Sequence, residues 1–244
     1  MSDKRDIAIL VTLSLTVSLC ALSFIVSNDS EKSGMMAWLD DLNGTTSGSY
    51  SRAADSVKKV GTNALPQLMS LLTSEDSIVD KEVQMLAESQ SMMSLKVEPA
   101  LDRQWQALKG FEVLGEDAEP VIDRLASLLE LGEHSDVVPF ALAEIGDAGM
   151  DPLQSALTNS SEEVRGNAAL ALAGMEHSEK LVPSLLRLLK DANASVREAA
   201  ASALGILAKE EEPEVVPELE KLLEDTDLGV RNAAMRALGL LLRR

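Results

Sequence analysis

The stretch ASVREAAASALG (194–205) returns thirty-four residues later as LGVRNAAMRALG (228–239), with seven of the twelve letters kept. A helix-like segment written twice at such a spacing constrains the fold strongly. Each copy belongs to a unit that cannot bury its apolar side alone, and stacked units share one continuous core. The pattern continues toward the N-terminus as EEVRGNAALALA (162–173), and more divergently as SDVVPFALAEIG (135–146) and RQWQALKGFEVLG (103–115). Counted from the Arg of the Val-Arg pair or its equivalent, the third residue is Gly110, Ala141, Ala168, Ala200 or Ala234, always Ala or Gly. The seventh is Leu114, Ile145, Leu172, Leu204 or Leu238, always large and apolar. Four residues apart on a helix, the two positions share a face. The small residue admits a neighbouring helix, and the large one fills the space a turn further on.

A second motif lies between these helices: PQLMSLL (66–72), PSLLRLL (183–189) and PELEKLL (217–223), with looser copies opened by Pro120 and Pro152. Proline suits the first helical turn, where its missing N–H would have no intrahelical partner. The unit is therefore Pro-x-Leu-x-x-Leu-Leu, a turn, and Val-Arg-x-x-Ala. Each unit is expected to close near Gly115, Gly146, Ala173, Gly205 or Gly239, at spacings of 31, 27, 32 and 34. The expected fold class is all-α: a solenoid of about five helical hairpins over 50–244, preceded by a single N-terminal transmembrane or signal helix. Residues 77–100 interrupt the period, with a helix expected from Ile78 to about Gln90 and an irregular insertion after it.

These units resemble HEAT and HEAT-like repeats, including the phycobilin-lyase type, and bacterial HEAT-repeat proteins with an N-terminal membrane anchor. The family motif has an Asp in the inter-helix turn and an Arg six residues later. Asp191 and Arg197, Asp225 and Arg231, and Asn159 and Arg165 with an amide substituted, have that spacing. The resemblance implies that these six side chains form a ladder of hydrogen bonds between successive turns. It also implies a partner-binding row one and five residues after each Arg: Gly166 and Leu170, Glu198 and Ser202, Asn232 and Arg236. The ladder is expected to fade over 101–114 and 135–146, which lack the Arg.

The N-terminus reads differently. IAILVTLSLTVSLCALSFIV (7–26) is twenty residues without a charge. As a helix it matches the thickness of a bilayer core. Lys4 and Arg5 precede it, while Asp29 and Glu31 follow. The positive-inside rule then makes residues 1–6 a cytoplasmic tail and places the body on the extracytoplasmic, periplasmic side. Ala21-Leu22-Ser23 offers a competing signal-peptidase site, which would release the body into the periplasm. Residues 27–49 read as a linker holding a short helix at 35–42. The one cysteine, Cys20, lies within the apolar run, so an internal disulfide and a Cys-based zinc site are excluded.

The net charge of −18 repels phosphate backbones, which excludes nucleic acid as an expected partner. No catalytic, cofactor-binding or metal-binding residues are expected. His134 and His177 lie in different repeats without a second His or Cys nearby, and there is no Gly-rich phosphate loop. EDTDLG (224–229) begins like a calcium loop, but its twelfth position is Arg236 where Glu is required. Trp105 and Phe111 are expected in the core. The expected function is a non-catalytic, membrane-anchored scaffold for a protein partner. The alternatives are an enzyme resembling bilin lyases, a module resembling HEAT-like DNA glycosylases, and a mechanical spacer. RALGLLLRR (236–244) has no polar capping helix after it, which makes self-association through this helix a further expectation.

Overall fold

The computed structural model describes residues 47–75, 100–175, 178–208 and 212–242. The N-terminal apolar run, the expected helix from Ile78, most of the insertion, and His177 lie outside them. Every regular element among the described residues is helical, and no helix there is long and apolar enough to cross a membrane. In chain order the α-helices are α1 (Ser47–Val60), α2 (Leu65–Leu72), α3 (Ala100–Leu114), α4 (Ile122–Leu131), α5 (Val138–Ile145) and α6 (Met150–Ala156). There follow α7 (Glu162–Ala173), α8 (Val182–Leu188), α9 (Ala194–Leu207), α10 (Val215–Lys221) and α11 (Leu228–Leu241). Helix α1 thus starts three residues before Tyr50, within the stretch read as linker.

The chain divides into two compact units. The first comprises residues 1–56 and 75–102. Its described part is mainly the start of α1, with Ala53 buried and Ser56 Oγ donating to the Arg52 carbonyl at 2.9 Å.

The second unit comprises residues 57–74 and 103–244 and contains the repeat. Here α4 packs on α5, α6 on α7, α8 on α9 and α10 on α11, and α2 meets α3 through Leu68 and Gly110. The second helices stack in series: α5 on α7, α7 on α9, and α9 on α11. Pro66 and Pro183 stand in the first two positions of α2 and α8. Pro120 instead lies in a short 3-10 turn ahead of α4.

All five small positions are buried, from Gly110 to Ala234, and so are the five large ones from Leu114 to Leu238. A Cβ at Gly110 would overlap the Leu68 side chain. The closing glycines behave in two ways. Gly115 and Gly146 have φ of +52° and +97°, ending α3 and α5 with backbone that an L side chain adopts only under strain. Gly205 and Gly239 lie inside α9 and α11, so the expected end of the unit is displaced there. The apolar residues after them, Ile206-Leu207 and Leu240-Leu241, extend the helix. Gly205 serves packing instead: a Cβ there would lie 2.7 Å from both Cα and Cβ of Ala237.

Trp105 departs from its expected place. It is exposed on α3, while Phe111, Gln104 and Gln106 are buried. The cost of burying Gln104 is met by a bond, since its Nε2 donates to the Ser74 carbonyl at 3.2 Å.

Two glycine substitutions separate packing from propensity. Gly205→Ala forces α9 away from Ala237 and is expected to destabilise by about 1–3 kcal/mol. Gly239→Ala meets no atom within 4 Å, and is expected to stabilise by up to about 1 kcal/mol through helix propensity alone. Urea unfolding of the two variants beside the parent measures both signs.

Candidate partner-binding surface

The turns between helices are built by the residues with the six-residue Asp/Asn-to-Arg spacing. Asp191 Oδ1 accepts the Asn193 N–H at 2.9 Å, Asp225 Oδ1 accepts that of Asp227 at 2.9 Å, and Asn159 Oδ1 accepts that of Ser161 at 2.8 Å. Ser161, Asn193 and Asp227 then cap α7, α9 and α11, each accepting a backbone N–H in the first turn.

Each Arg reaches back to its own turn. Arg165 Nη1 donates to the carbonyls of Asn159 (2.8 Å) and Ser160 (3.0 Å). Arg197 Nη1 donates to those of Asp191 (2.9 Å) and Ala192 (3.2 Å). Arg231 Nη1 does the same to Asp225 (2.6 Å) and Thr226 (3.0 Å). The guanidinium fork then points forward. Arg165 Nε and Nη2 grip Asp191 at 2.8 and 2.9 Å, and Arg197 Nε and Nη2 grip Asp225 at 2.8 Å each. Planar fork-to-carboxylate pairing fixes distance and angle together. Asn159 has no Arg behind it, and its Nδ2 donates to the Glu130 carbonyl at 3.2 Å.

These bonds set the protonation of the ladder. The Arg165 guanidinium holds the Asp191 carboxyl below its usual range, with the Asn193 N–H assisting and desolvation opposing. Arg197 and the Asp227 N–H do the same to Asp225, again against desolvation. Arg165 and Arg197 are pushed further up, first by the same bonds.

The row after each Arg is only partly a surface. Gly166 is buried, its face lying against Ser195, Val196 and Ala199 of α9. Helix α9 covers it there, so it offers no surface to a partner. Leu170, Asn232 and Arg236 are exposed, while Glu198 and Ser202 are half-buried. Arg236 Nη2 lies 3.8 Å from Glu198 Oε1, joining the row across α9 and α11.

Earlier in the stack, Lys109 and Glu112 form an ion pair at 2.5 Å on α3. The Glu144 carboxyl on α5 is raised by desolvation first and by the Glu112 charge second, with Lys109 opposing.

Sequence reasoning missed an open groove of about 510 Å³ between the first helices α6 and α8. Asp151, Ser155, Thr158, Ser184 and Arg187 line it together with the buried Leu157 and Leu188. Its polar residues are those left over by the Leu stripe. Among the described residues no three His, Cys, Asp or Glu converge as a metal site. His134 lies half-buried in the turn before α5, at φ +50°.

The ladder predicts an acid limb. A carboxyl whose native pKa is lowered stabilises the fold above its unfolded value, 3.8 for Asp, and that contribution fades as pH falls through the lower native value. Asp225→Asn is expected to cost about 1–3 kcal/mol at neutral pH. It is also expected to flatten the loss of stability below about pH 4. Urea titrations of parent and variant across pH measure the difference.

A comparison with curated proteins finds no match. Among solved structures the chain is similar to an engineered protein at 23% identity, covering 86% of this chain and 96% of that one, with a TM-score of 0.41. It is also similar to a designed armadillo repeat protein at 19% identity, covering 84% and 98%, with a TM-score of 0.36. The family model for HEAT repeats matches residues 111–205 and 150–239, together more than half of the chain. With its paired helices, small-residue contacts and Asp-Arg ladder, this chain belongs to the HEAT-repeat family.

Proposed function

We propose that the protein is a non-catalytic scaffold that holds a protein partner at a membrane surface. The body would stand on the extracytoplasmic side, tethered by residues 7–26. The observation that carries the binding part is the row Leu170, Glu198, Ser202, Asn232 and Arg236, set on the rigid second helices of three stacked hairpins. It mixes apolar, acidic, amide and cationic groups at fixed spacing, and such variety on a rigid frame suits one partner's surface. The charge of −18 favours a partner with a basic face. The uncharged run 7–26 supports the tether.

Two measurements test this. Photocrosslinking from position 202 in native membranes is expected to capture one protein, and Glu198→Lys with Leu170→Asp is expected to lower the yield by about tenfold or more. Recovery of no crosslinked protein would favour a mechanical spacer. In the second measurement, the full chain is expected to stay with membranes after alkaline carbonate extraction, and a chain lacking 7–26 is expected to be released. Release of both would remove the tether.

A further inference from the structure

The open groove between α6 and α8 has an acid on one wall and a base on the other. Asp151, Gln154 and Ser155 line it from α6, and Ser184 and Arg187 from α8. The Asp151 carboxylate has no partner among the described residues. Arg187 Nη2 donates to Ser184 Oγ at 2.8 Å, while its Nε and Nη1 have no acceptor among the described residues.

A neighbouring groove of about 300 Å³, between α8 and α10, shows how such walls can close on themselves. There Lys190 Nζ reaches Glu218 Oε2 at 3.3 Å, a base from one wall meeting an acid from the other. Aligned on Pro152, Pro183 and Pro217, the positions of Lys190 and Glu218 are filled by Asn159 and Ser184 in the first groove. Asn159 Nδ2 donates to the Glu130 carbonyl at 3.2 Å, and Ser184 holds Arg187. The pair that crosses the second groove is therefore missing from the first, which leaves its two charges for something else.

Their spacing points to the occupant. Asp151 lies one residue before its proline and Arg187 four after its own. Successive repeats set α6 and α8 side by side in the same direction, so the two charges are offset by five helical residues, about 7.5 Å along the groove. Side chains on one side of an extended chain recur about every 6.6 Å. A cation and a carboxylate two residues apart on such a chain match that offset. Between them, the Gln154 amide has no partner among the described residues, and the Ser184 hydroxyl accepts but donates to none of them. Such groups suit the N–H and C=O of an extended backbone, which a helix has already used internally.

We propose that the groove between α6 and α8 binds an extended segment of another protein, one with Lys or Arg and, two residues away, Asp or Glu. Asp151 binds the cation, Arg187 the carboxylate, and Gln154 and Ser184 the backbone between them. The groove belongs to the first helices, apart from the row on the second helices, and goes beyond the scaffold reading without depending on it.

The test titrates the full chain into a short fluorescein-labelled peptide of Ser and Ala with Lys and Asp two positions apart. Anisotropy is read at low ionic strength, where ion pairs are least screened. A rise that saturates below about 1 mM is expected. Asp151→Asn and Arg187→Gln are each expected to weaken binding about fivefold, and Glu220→Gln on α10 to leave it unchanged. The same peptide with Lys and Asp adjacent points the two charges to opposite sides, and a similar loss is expected. Asp151→Lys or Arg187→Glu alone is expected to abolish binding, and the two together to restore it, since the segment can then lie in the opposite direction. A merely structural role for either residue would not give that rescue. Absence of saturable binding, equal binding of the two peptides, or no recovery in the double variant would overturn the proposal. Tighter binding of a version with the charges four apart, the helical spacing, would overturn it as well.

Discussion

Close approach of the second helices is the constraint from which the rest of the structure follows. Where α9 meets α11, Gly205 and Ala237 bring backbone against backbone, with no space for one further carbon. The buried alanines at 168, 200 and 234 keep the stack tight, and Leu172, Leu204 and Leu238 fill the layer beneath. Dispersion and burial are short-ranged, so the benefit of such contacts depends on tenths of an ångström.

The ladder is the polar counterpart of that packing. Helices sliding on small residues have little to fix their register, since Ala and Gly offer smooth surfaces. A guanidinium that holds its own turn with one nitrogen and the next turn's carboxylate with the other two removes the freedom to slide. It also resolves a local problem on a strongly acidic chain. Asp191 and Asp225 sit at crowded turns beside helix N-termini, where their negative charge is matched by N–H groups on one side and Arg on the other. The carboxylates that build the turns are the ones that couple the hairpins.

The row proposed as a binding surface comes from what this frame leaves over. The row on α7, α9 and α11 consists of residues that point out of the stack. The row calls for varied side-chain complementarity in its partner. Rigidity serves it, since the row loses little entropy by being held.

Much of this was legible in the letters. The alternation of small and large positions dictates buried helix contacts wherever it recurs, because volume cannot be negotiated in a packed layer. The six-residue Asp-to-Arg spacing carried the resemblance that implied bonds between successive turns, while the reach of each Arg to the carbonyls of its own turn came only with the structure. Exposure was not legible. Gly166 sits at a row position yet is covered by α9, and Trp105 stands outside while Gln104 and Gln106 go in. Gly205 and Gly239 have the same letter at the same register, but one is wedged against a neighbour and the other is open. Arg197 and Arg231 are likewise identical by motif, yet Arg197 grips a carboxylate with Nε and Nη2 while Arg231, among the described residues, bonds through Nη1 to its own turn. A residue's type and spacing determine what it can pair with and which side of its helix it occupies. Whether anything stands on that side depends on where neighbouring helices lie in space, and the tertiary structure alone decides that.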